Sequence, residues 1–409
     1  MNQGQSPAQD VLDEFNHYVM NDIPIRLIYL PTMELVGQNF MKTHFQDRIK
    51  EITEDLILAE TQAHVSSRLL SWHKVKYGIL SHWWLDTGEP SYQDMMEKKL
   101  SGPSNNEVQS PGYTKLQKCC EEARRLDLHF LWSDTCCIDK NSSAELDKSI
   151  CSMFWWYRNS SICIAYLGGM TVIEDLRLEE WFMRGWILQE LLAARKIKFF
   201  NKDWQRLTKQ DNDKEEDTPL MTVLQEVTRI PEAELIDFLP IPRYIDKQMT
   251  WAAQRITTWA EDVAYSLMGL FDVSLQIAYG EGGERAFRRL IEAIMQAGGD
   301  SSVLNWAGEP AKHHASFALP ASPASFVGHP DIVTIGQLDL TLTSRGLHIP
   351  LVILPLDMTK PEFDGRPIVN PKFRCPHHGV GEVRIDSGDY GFSGIFKQYA
   401  LGIFHYIPT

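Results

Sequence analysis

Short apolar strands alternate with amphipathic helices between residues 75 and 200, and this alternation restricts the fold more than any other feature. The predicted strands cover residues 75–81, 128–134, 162–167 and 197–200. Their nearly continuous apolar character is typical of strands that are buried on both faces of a parallel sheet. The sequence therefore predicts an α/β fold in which helices flank a parallel sheet.

The stretch from Trp181 to Arg195 predicts an amphipathic helix that carries a carboxylate on its apolar side. At 100° per residue, Glu190 lies near the middle of the arc that contains Trp186 and Leu191. Burying an unpaired carboxylate costs several kcal/mol, so Glu190 needs a partner, a raised pKa or an opening into a pocket. A structural carboxylate satisfied by backbone donors or an arginine is the alternative interpretation.

Charge and cysteine content exclude several classes of protein. The net charge of −14 argues against broad basic surfaces for nucleic acids or anionic membranes. The seven cysteines are an odd number without a CxxC motif, which indicates reduced, packed thiols. The first 20 residues do not resemble a signal peptide, and no apolar run is long enough to cross a membrane. We therefore expect a cytoplasmic protein.

Three regions are expected along the chain. Residues 1–210 should hold the α/β domain, with core strands from about residue 74 and an N-terminal extension that includes a helix-prone stretch over 45–71. Residues 205–218 are highly charged and predict a solvated break. Residues 219–300 predict a helical extension, with helices over 250–271 and 284–296. Residues 301–409 predict a β-rich C-terminal region.

Candidate ligand-binding residues follow the first two strands, because ligands of parallel sheets bind at the carboxyl ends of the strands. These residues are Ser81, His82, Trp83, Asp134, Cys136 and Asp139. His82 is either a general base or phosphate contact, or a structural histidine bonded to the backbone. Asp134 and Asp139 either belong to a site or cap their loop.

Other motifs carry less information about chemistry. The glycine-rich segment 280–284 lacks the Lys-Ser/Thr of a phosphate loop and predicts a plain turn before a helix. Cys375, His377 and His378 are metal-ligand types without the spacing of a zinc site, so no metal site is predicted. Cys136 and Cys137 lack the histidine partner that a nucleophilic cysteine needs.

Several motifs in order resemble the fungal heterokaryon-incompatibility (HET) domain. They include Tyr77-Gly-Ile-Leu-Ser-His82-Trp, Trp132-Ser-Asp134-Thr-Cys-Cys-Ile-Asp139-Lys140, Ser152-Met-Phe-Trp-Trp-Tyr157 and Arg184-Gly-Trp186-Ile-Leu-Gln-Glu190-Leu. Residues 261–272 and 279–287 look like the segment that commonly follows this domain, so the resemblance covers roughly residues 24–300. HET domains trigger cell death after non-self recognition, and the resemblance implies that role here.

HET domains look like distant relatives of TIR domains, which implies a TIR-like, flavodoxin-like core. Trp186-Ile-Leu-Gln-Glu190-Leu is similar to the TIR motif Trp-Cys-Leu-x-Glu-Leu, whose glutamate is catalytic in TIR enzymes that hydrolyse NAD. The resemblance therefore implies that Glu190 is a catalytic carboxylate. It implies that Arg184, Trp186 and the residues after the first two strands bind substrate. NAD would be a substrate and not a cofactor.

Two other functions remain open from the sequence. The protein is alternatively a non-enzymatic module that signals by homotypic assembly, with a structural Glu190. It is otherwise a metal-dependent nucleotide hydrolase that uses Asp134 and Asp139. Self-association is expected in the first two interpretations, and a separate sensor protein can act in trans.

Overall fold

The computed structural model describes residues 7–47, 75–97, 110–312 and 319–328, together with short strand segments between residues 340 and 403. Most of the helix-prone stretch 45–71 lies outside the described residues, and so do Cys375, His377 and His378.

Six strands form one mixed sheet in the order β2-β1-β4-β3-β5-β6. They are β1 (Arg26–Tyr29), β2 (Glu34–Gly37), β3 (Tyr77–His82), β4 (Phe130–Trp132), β5 (Ile162–Tyr166) and β6 (Ile197–Phe200). The four strands from β3 to β6 are parallel, whereas β1 pairs antiparallel with both β2 and β4. The α/β prediction is confirmed, and the antiparallel pair of β1 and β2 extends the sheet beyond β4.

The parallel strands follow each other across the sheet as second, first, third and fourth in the chain, which is the flavodoxin-like order. In the middle of the sheet, Gly78 on β3 pairs with Leu131 on β4 and with Ile162 on β5. The strand order reverses between β3 and β5. Such a reversal leaves a crevice beyond the carboxyl ends of these two strands.

Ten helices are described, in addition to short 3-10 turns and a helical segment over residues 38–47. They are α1 (Pro7–Asn21), α2 (Tyr92–Met96), α3 (Pro111–Arg125), α4 (Ser143–Asn159), α5 (Gly185–Ala193), α6 (Pro219–Thr228), α7 (Glu232–Ile236), α8 (Ile245–Ala252), α9 (Asp262–Tyr265) and α10 (Gly283–Gln296). Helices α3, α4 and α5 lie in the connections between successive parallel strands.

The Glu190 helix is shorter than the sequence predicts, because its first turn is replaced by contacts to another segment. Arg184 is extended and forms a parallel bridge with Ile256. The Gly185 N–H donates to the Ile256 carbonyl (2.9 Å), and the Ile256 N–H donates to the Met183 carbonyl (2.7 Å). The same pairing explains why the predicted helix over 250–271 is interrupted.

The prediction of a solvated break over 205–218 is wrong for two charged residues, because Asp213 and Lys214 are each only 2% exposed. Lys198 on β6 donates from Nζ to Asp213 Oδ1 (2.8 Å). Lys214 donates from Nζ to the Ala194 carbonyl (2.7 Å), just beyond the end of α5. Each buried charge therefore has a polar partner, as burial requires.

The buried core continues from the sheet into the helical region and extends from Phe15 to Leu340. Further along the chain, strands β7 (Thr341–Thr343) and β8 (Gly346–His348) form a hairpin. A four-stranded antiparallel sheet has the order β11-β10-β9-β12. Its strands are β9 (Val352–Met358), β10 (Lys372–Arg374), β11 (Val383–Arg384) and β12 (Tyr399–Ile403). Among the described helices, none has both the length and the apolar composition needed to cross a bilayer.

Candidate active site

A cavity of about 660 Å³ lies beyond the carboxyl ends of the parallel strands. Its lining includes Trp83 after β3, Asp134 after β4, and Arg184, Trp186 and Glu190 at and on α5. The volume is in the range of small-molecule sites. Five of the nine residues predicted for a site therefore line one cavity.

Glu190 is buried at this cavity, with 7% of its surface exposed. Tyr157 Oη lies 2.9 Å from Glu190 Oε2, and the Ser81 side chain also hydrogen-bonds the carboxylate. Burial and the nearby negative charge of Asp134 raise the pKa of Glu190 to about 7, against the opposing effects of these hydrogen bonds and of Arg184. Among the described residues, no lysine or arginine forms an ion pair with Glu190.

One end of the cavity combines cations with indole rings. The Arg184 guanidinium lies 5.4 Å from the ring centroid of Trp83 and 5.7 Å from that of Trp84. Lys140 Nζ lies 3.8 Å from the Trp84 centroid, and Trp84 donates to Asp134 Oδ2 (2.9 Å). Arg184 is further fixed by a hydrogen bond to the His82 carbonyl (2.8 Å). We call this the basic end after Arg184 and Lys140, whose charges Asp134 offsets in part, and these two cations can contact an anionic group of a ligand.

Ser81 and His82 lie behind the cavity, at the buried end of β3. Ser81 accepts a hydrogen bond from Trp181 Nε1 (3.1 Å). Neither ring nitrogen of His82 has a hydrogen-bond partner among the described residues, and Nε2 lies 3.9 Å from Asp134 Oδ1. Burial and the charges of Lys115, Arg184 and Lys140 lower the pKa of His82, so the ring is neutral.

Cys136 and Asp139 are not among the residues that line the cavity. Cys136 is fully buried beside Cys137. Asp139 accepts hydrogen bonds from the Asn141 N–H (3.1 Å) and from Gln93 Nε2 (3.2 Å), so its carboxylate organises the turn before α4. Among the residues that the structure describes, no group of three or more His, Cys, Asp or Glu side chains is arranged to hold a metal ion.

Residues 77–172 match the family model described as "Heterokaryon incompatibility protein (HET)". This part of the chain, 96 of its 409 residues, is therefore similar to a HET domain. The chain is also 38% identical over 231 residues to the Vegetative incompatibility protein HET-E-1 of Podospora anserina. That match covers 53% of this chain but 16% of the relative, so the chain spans about a sixth of that protein's length. No solved structure matches the chain significantly.

The cavity extends beyond the range that matches the HET family model. Trp83 and Asp134 lie within residues 77–172, whereas Glu190 follows this range on α5. A further part of the lining comes from a more distant segment that contributes Ile256, Thr257, Thr258, Trp259, Asp262 and Tyr279. The matched range therefore supplies one part of the cavity, and the chain after it supplies the rest.

Sequence reasoning missed most of this second part for a specific reason. Trp251, Ile256, Trp259 and Val263 follow helical spacing, which assigns Trp259 to a buried helix face. In the structure the helix ends at Ala252, and Trp259 is 61% exposed at the cavity. The sequence did contain one indication of this part of the cavity. Residues 261–272 and 279–287 resemble the segment that commonly follows a HET domain.

Proposed function

We propose that this protein is a cell-death effector of heterokaryon incompatibility. The match of residues 77–172 to the HET family supports this role. So does the 38% identity to a protein whose name assigns it to vegetative incompatibility. The proposal concerns the region that the two proteins share.

We further propose that the cavity is a TIR-like site that hydrolyses NAD. The observation that carries this proposal is the Glu190 carboxylate, which is buried at an aromatic cavity and is bonded by hydroxyl groups. A structural carboxylate in the core is normally paired with a cation or with several backbone donors. Glu190 instead keeps a carboxylate available to a ligand.

The proposed reaction breaks the bond between C1′ of the ribose and the nicotinamide nitrogen. The bonding electron pair leaves with the ring, which becomes neutral, and the ribose acquires oxocarbenium character. Ionised Glu190 stabilises this positive charge, as carboxylates do in glycoside hydrolysis. Water then adds to C1′ and loses a proton, and the products are nicotinamide and ADP-ribose.

The surroundings of Glu190 suit the remaining parts of NAD. Arg184 and Lys140 at the basic end can neutralise the diphosphate. Trp186 lies one helical turn from Glu190, so a ring against its indole would place the attached ribose at the carboxylate. Ser81 and His82 lie behind the cavity wall, where Ser81 helps to fix the Glu190 side chain and the His82 carbonyl helps to fix Arg184.

Incubation of the purified protein with NAD, followed by measurement of free nicotinamide, tests this proposal. Glu190→Gln should lower turnover by about 10²-fold or more while NAD binding changes little, because the lost interaction is strongest in the transition state. Glu122→Gln is the matched control, because Glu122 is also buried on a helix but does not line the cavity. It should retain turnover.

Toxicity of the same variant in cells separates the proposal from assembly without catalysis. A folded Glu190→Gln protein that still kills cells would show that killing needs no hydrolysis. A metal-dependent hydrolase that uses both Asp134 and Asp139 is a poorer fit, because Asp139 bonds its own turn and does not line the cavity.

We also propose that activity depends on self-association. Trp155, Leu178 and Leu239 are large apolar side chains with 41%, 85% and 57% exposure, and they are available for such contacts. Specific turnover should fall as the protein is diluted below the dissociation constant of the self-association. Undiminished turnover from a monomer at nanomolar concentration would contradict this proposal.

A further inference from the structure

The segment from Ile256 to Tyr279 forms one wall of the cavity. This wall carries an acidic side chain, whereas the basic end carries Arg184 and Lys140. The backbone pairing of Ile256 with Met183 and Gly185 anchors this segment at the start of α5. Together with Trp186 on α5, this segment lines the wall with the rings of Trp259 and Tyr279 and the carboxylate of Asp262, beside Ile256, Thr257 and Thr258. No lysine or arginine from residues 256–279 lines the cavity.

Asp262 holds two of these rings in place. Trp186 donates from Nε1 to Asp262 Oδ2 (2.9 Å), and Tyr279 donates from Oη to Asp262 Oδ1 (2.9 Å). Trp259 packs beside Tyr279, with ring centroids 5.7 Å apart. Trp259 and Tyr279 are 61% and 39% exposed, so ring surface remains free for a ligand. Asp262 is therefore a positioning residue for an aromatic wall, to which it also adds negative charge.

The electrostatic character of this wall favours a cation. Aromatic faces carry partial negative charge and attract cations, most strongly tryptophan. The charge of Arg184 also acts on Asp262, but its guanidinium lies near Trp83 and Trp84 and donates to the His82 carbonyl. A planar cationic ring thus meets three aromatic side chains and a carboxylate on this side of the cavity.

We propose that this wall binds the positively charged pyridinium ring of oxidised NAD and selects it over the neutral dihydropyridine ring of NADH. Trp186 lies one helical turn before Glu190, so a ring held here has its ribose directed to the carboxylate. The inference rests on the proposed function for the identity of the ligand, but it does not require hydrolysis. It assigns ring selection to a segment outside the matched HET range.

Calorimetric titration with NAD and NADH tests the proposal, because the two ligands share the adenosine diphosphate half and differ in the charge of the other ring. The measurements use the Glu190→Gln background, in which turnover should consume the ligand at least about 10²-fold more slowly. We expect NAD to bind about tenfold more tightly than NADH, as a desolvated cation–π contact implies. Trp259→Ala should reduce this ratio to roughly threefold or less.

A second variant and a control keep the test specific. Asp262→Asn retains the size of the side chain and removes its charge, so it should also reduce the ratio of the two affinities. Tyr244→Ala is the matched control, because Tyr244 is an exposed aromatic residue of the helical region that does not line the cavity. It should leave the ratio unchanged.

The outcomes separate this inference from the proposed function. Equal affinity for NAD and NADH, no binding of either, or a ratio that Trp259→Ala leaves intact would overturn the inference, even if the wild-type protein releases nicotinamide. A strong preference for NAD without any nicotinamide release would support the inference and refute hydrolysis.

Discussion

Glu190 and Asp213 are both buried carboxylates close to parallel strands of the same sheet, yet their surroundings differ. Asp213 accepts hydrogen bonds from Lys198 Nζ (2.8 Å), from the Phe199 N–H (2.7 Å) and from the Thr208 hydroxyl (2.5 Å). Glu190 is bonded by hydroxyl groups and lines a cavity. One carboxylate is thus fully paired within the protein, and the other is not.

This difference separates a structural charge from a candidate catalytic one. Lys198 is itself fixed by the carbonyls of Thr208 and Gln210, so the ion pair holds the loop after β6 against the sheet. Such a network needs every member, because an unpaired buried charge is costly. The carboxylate of Glu190 has no such network, and its burial is instead reflected in a pKa raised to about 7.

The largest effect is expected from breaking the paired site. Lys198→Met should lower the free energy of unfolding by about 3–5 kcal/mol, because Asp213 would stay buried without its cation. Urea denaturation measures this loss. Arg177→Ala is the control, because Arg177 and Glu226 form an ion pair with both side chains about half exposed, and its loss should cost less than about 1 kcal/mol. Equal losses in the two variants would remove the distinction between the sites.

Sequence predicted the carboxylate of the cavity but not the paired one, for physical reasons. Glu190 interrupts an apolar arc in a helix, so its burial follows from periodicity within a short stretch. The burial of Asp213 depends on Lys198, which lies 15 residues earlier on a strand. The charged stretch 205–218 has no hydrophobic periodicity, and its sequence does not indicate that Asp213 has a buried partner. The sequence therefore predicts a solvated stretch there.

The same contrast applies to the fold and the cavity. The strands of the parallel sheet were predicted within two residues at each end, because continuous apolar runs are a local signal. The wall that contains Trp259 and Asp262 depends on the pairing of Ile256 with Met183 and Gly185. This pairing joins segments more than 70 residues apart, and no local pattern encodes it.

A smaller effect on stability is expected at Glu190, and it should depend on pH. The folded protein retains the Glu190 proton up to pH about 7, whereas an unfolded chain releases it near the ordinary pKa of 4.5. The stability contributed by this group is therefore lost as pH rises from about 4.5 to 7, by about 3 kcal/mol in total. The free energy of unfolding of Glu190→Gln, taken relative to that of the wild type, should therefore be higher at pH 8 than at pH 4.5.

Thermal or urea unfolding of the two proteins at both pH values measures this difference. Glu122→Gln serves again as the control, because it removes a buried carboxylate that is paired with Arg125. An unchanged difference between wild type and Glu190→Gln across the range would show that Glu190 ionises normally in the folded state.

The ionisation of Glu190 should also appear in the pH dependence of turnover, where its free-energy effect should be smaller than the effect on stability. If ionised Glu190 stabilises the transition state, kcat/KM for NAD should rise about tenfold between pH 6 and 8 and level off above the pKa. The profile of kcat should have a lower midpoint, because the cationic ligand favours the carboxylate. A flat profile of kcat/KM would contradict the proposed role of the Glu190 charge.

The smallest effect concerns the hydroxyl that bonds Glu190. Tyr157→Phe removes a hydrogen bond that lowers the pKa of Glu190, so the midpoint of the kcat/KM profile should move upward by roughly half a pH unit. Tyr77→Phe is the matched control, because Tyr77 is also buried but donates to the Trp156 carbonyl. Both variants should lose about 1 kcal/mol of stability, yet the midpoint should move only in Tyr157→Phe. Tyr157 Oη also lies 3.1 Å from the Leu80 carbonyl, so an unmoved midpoint would show that Tyr157 donates there and that Glu190 relies on Ser81.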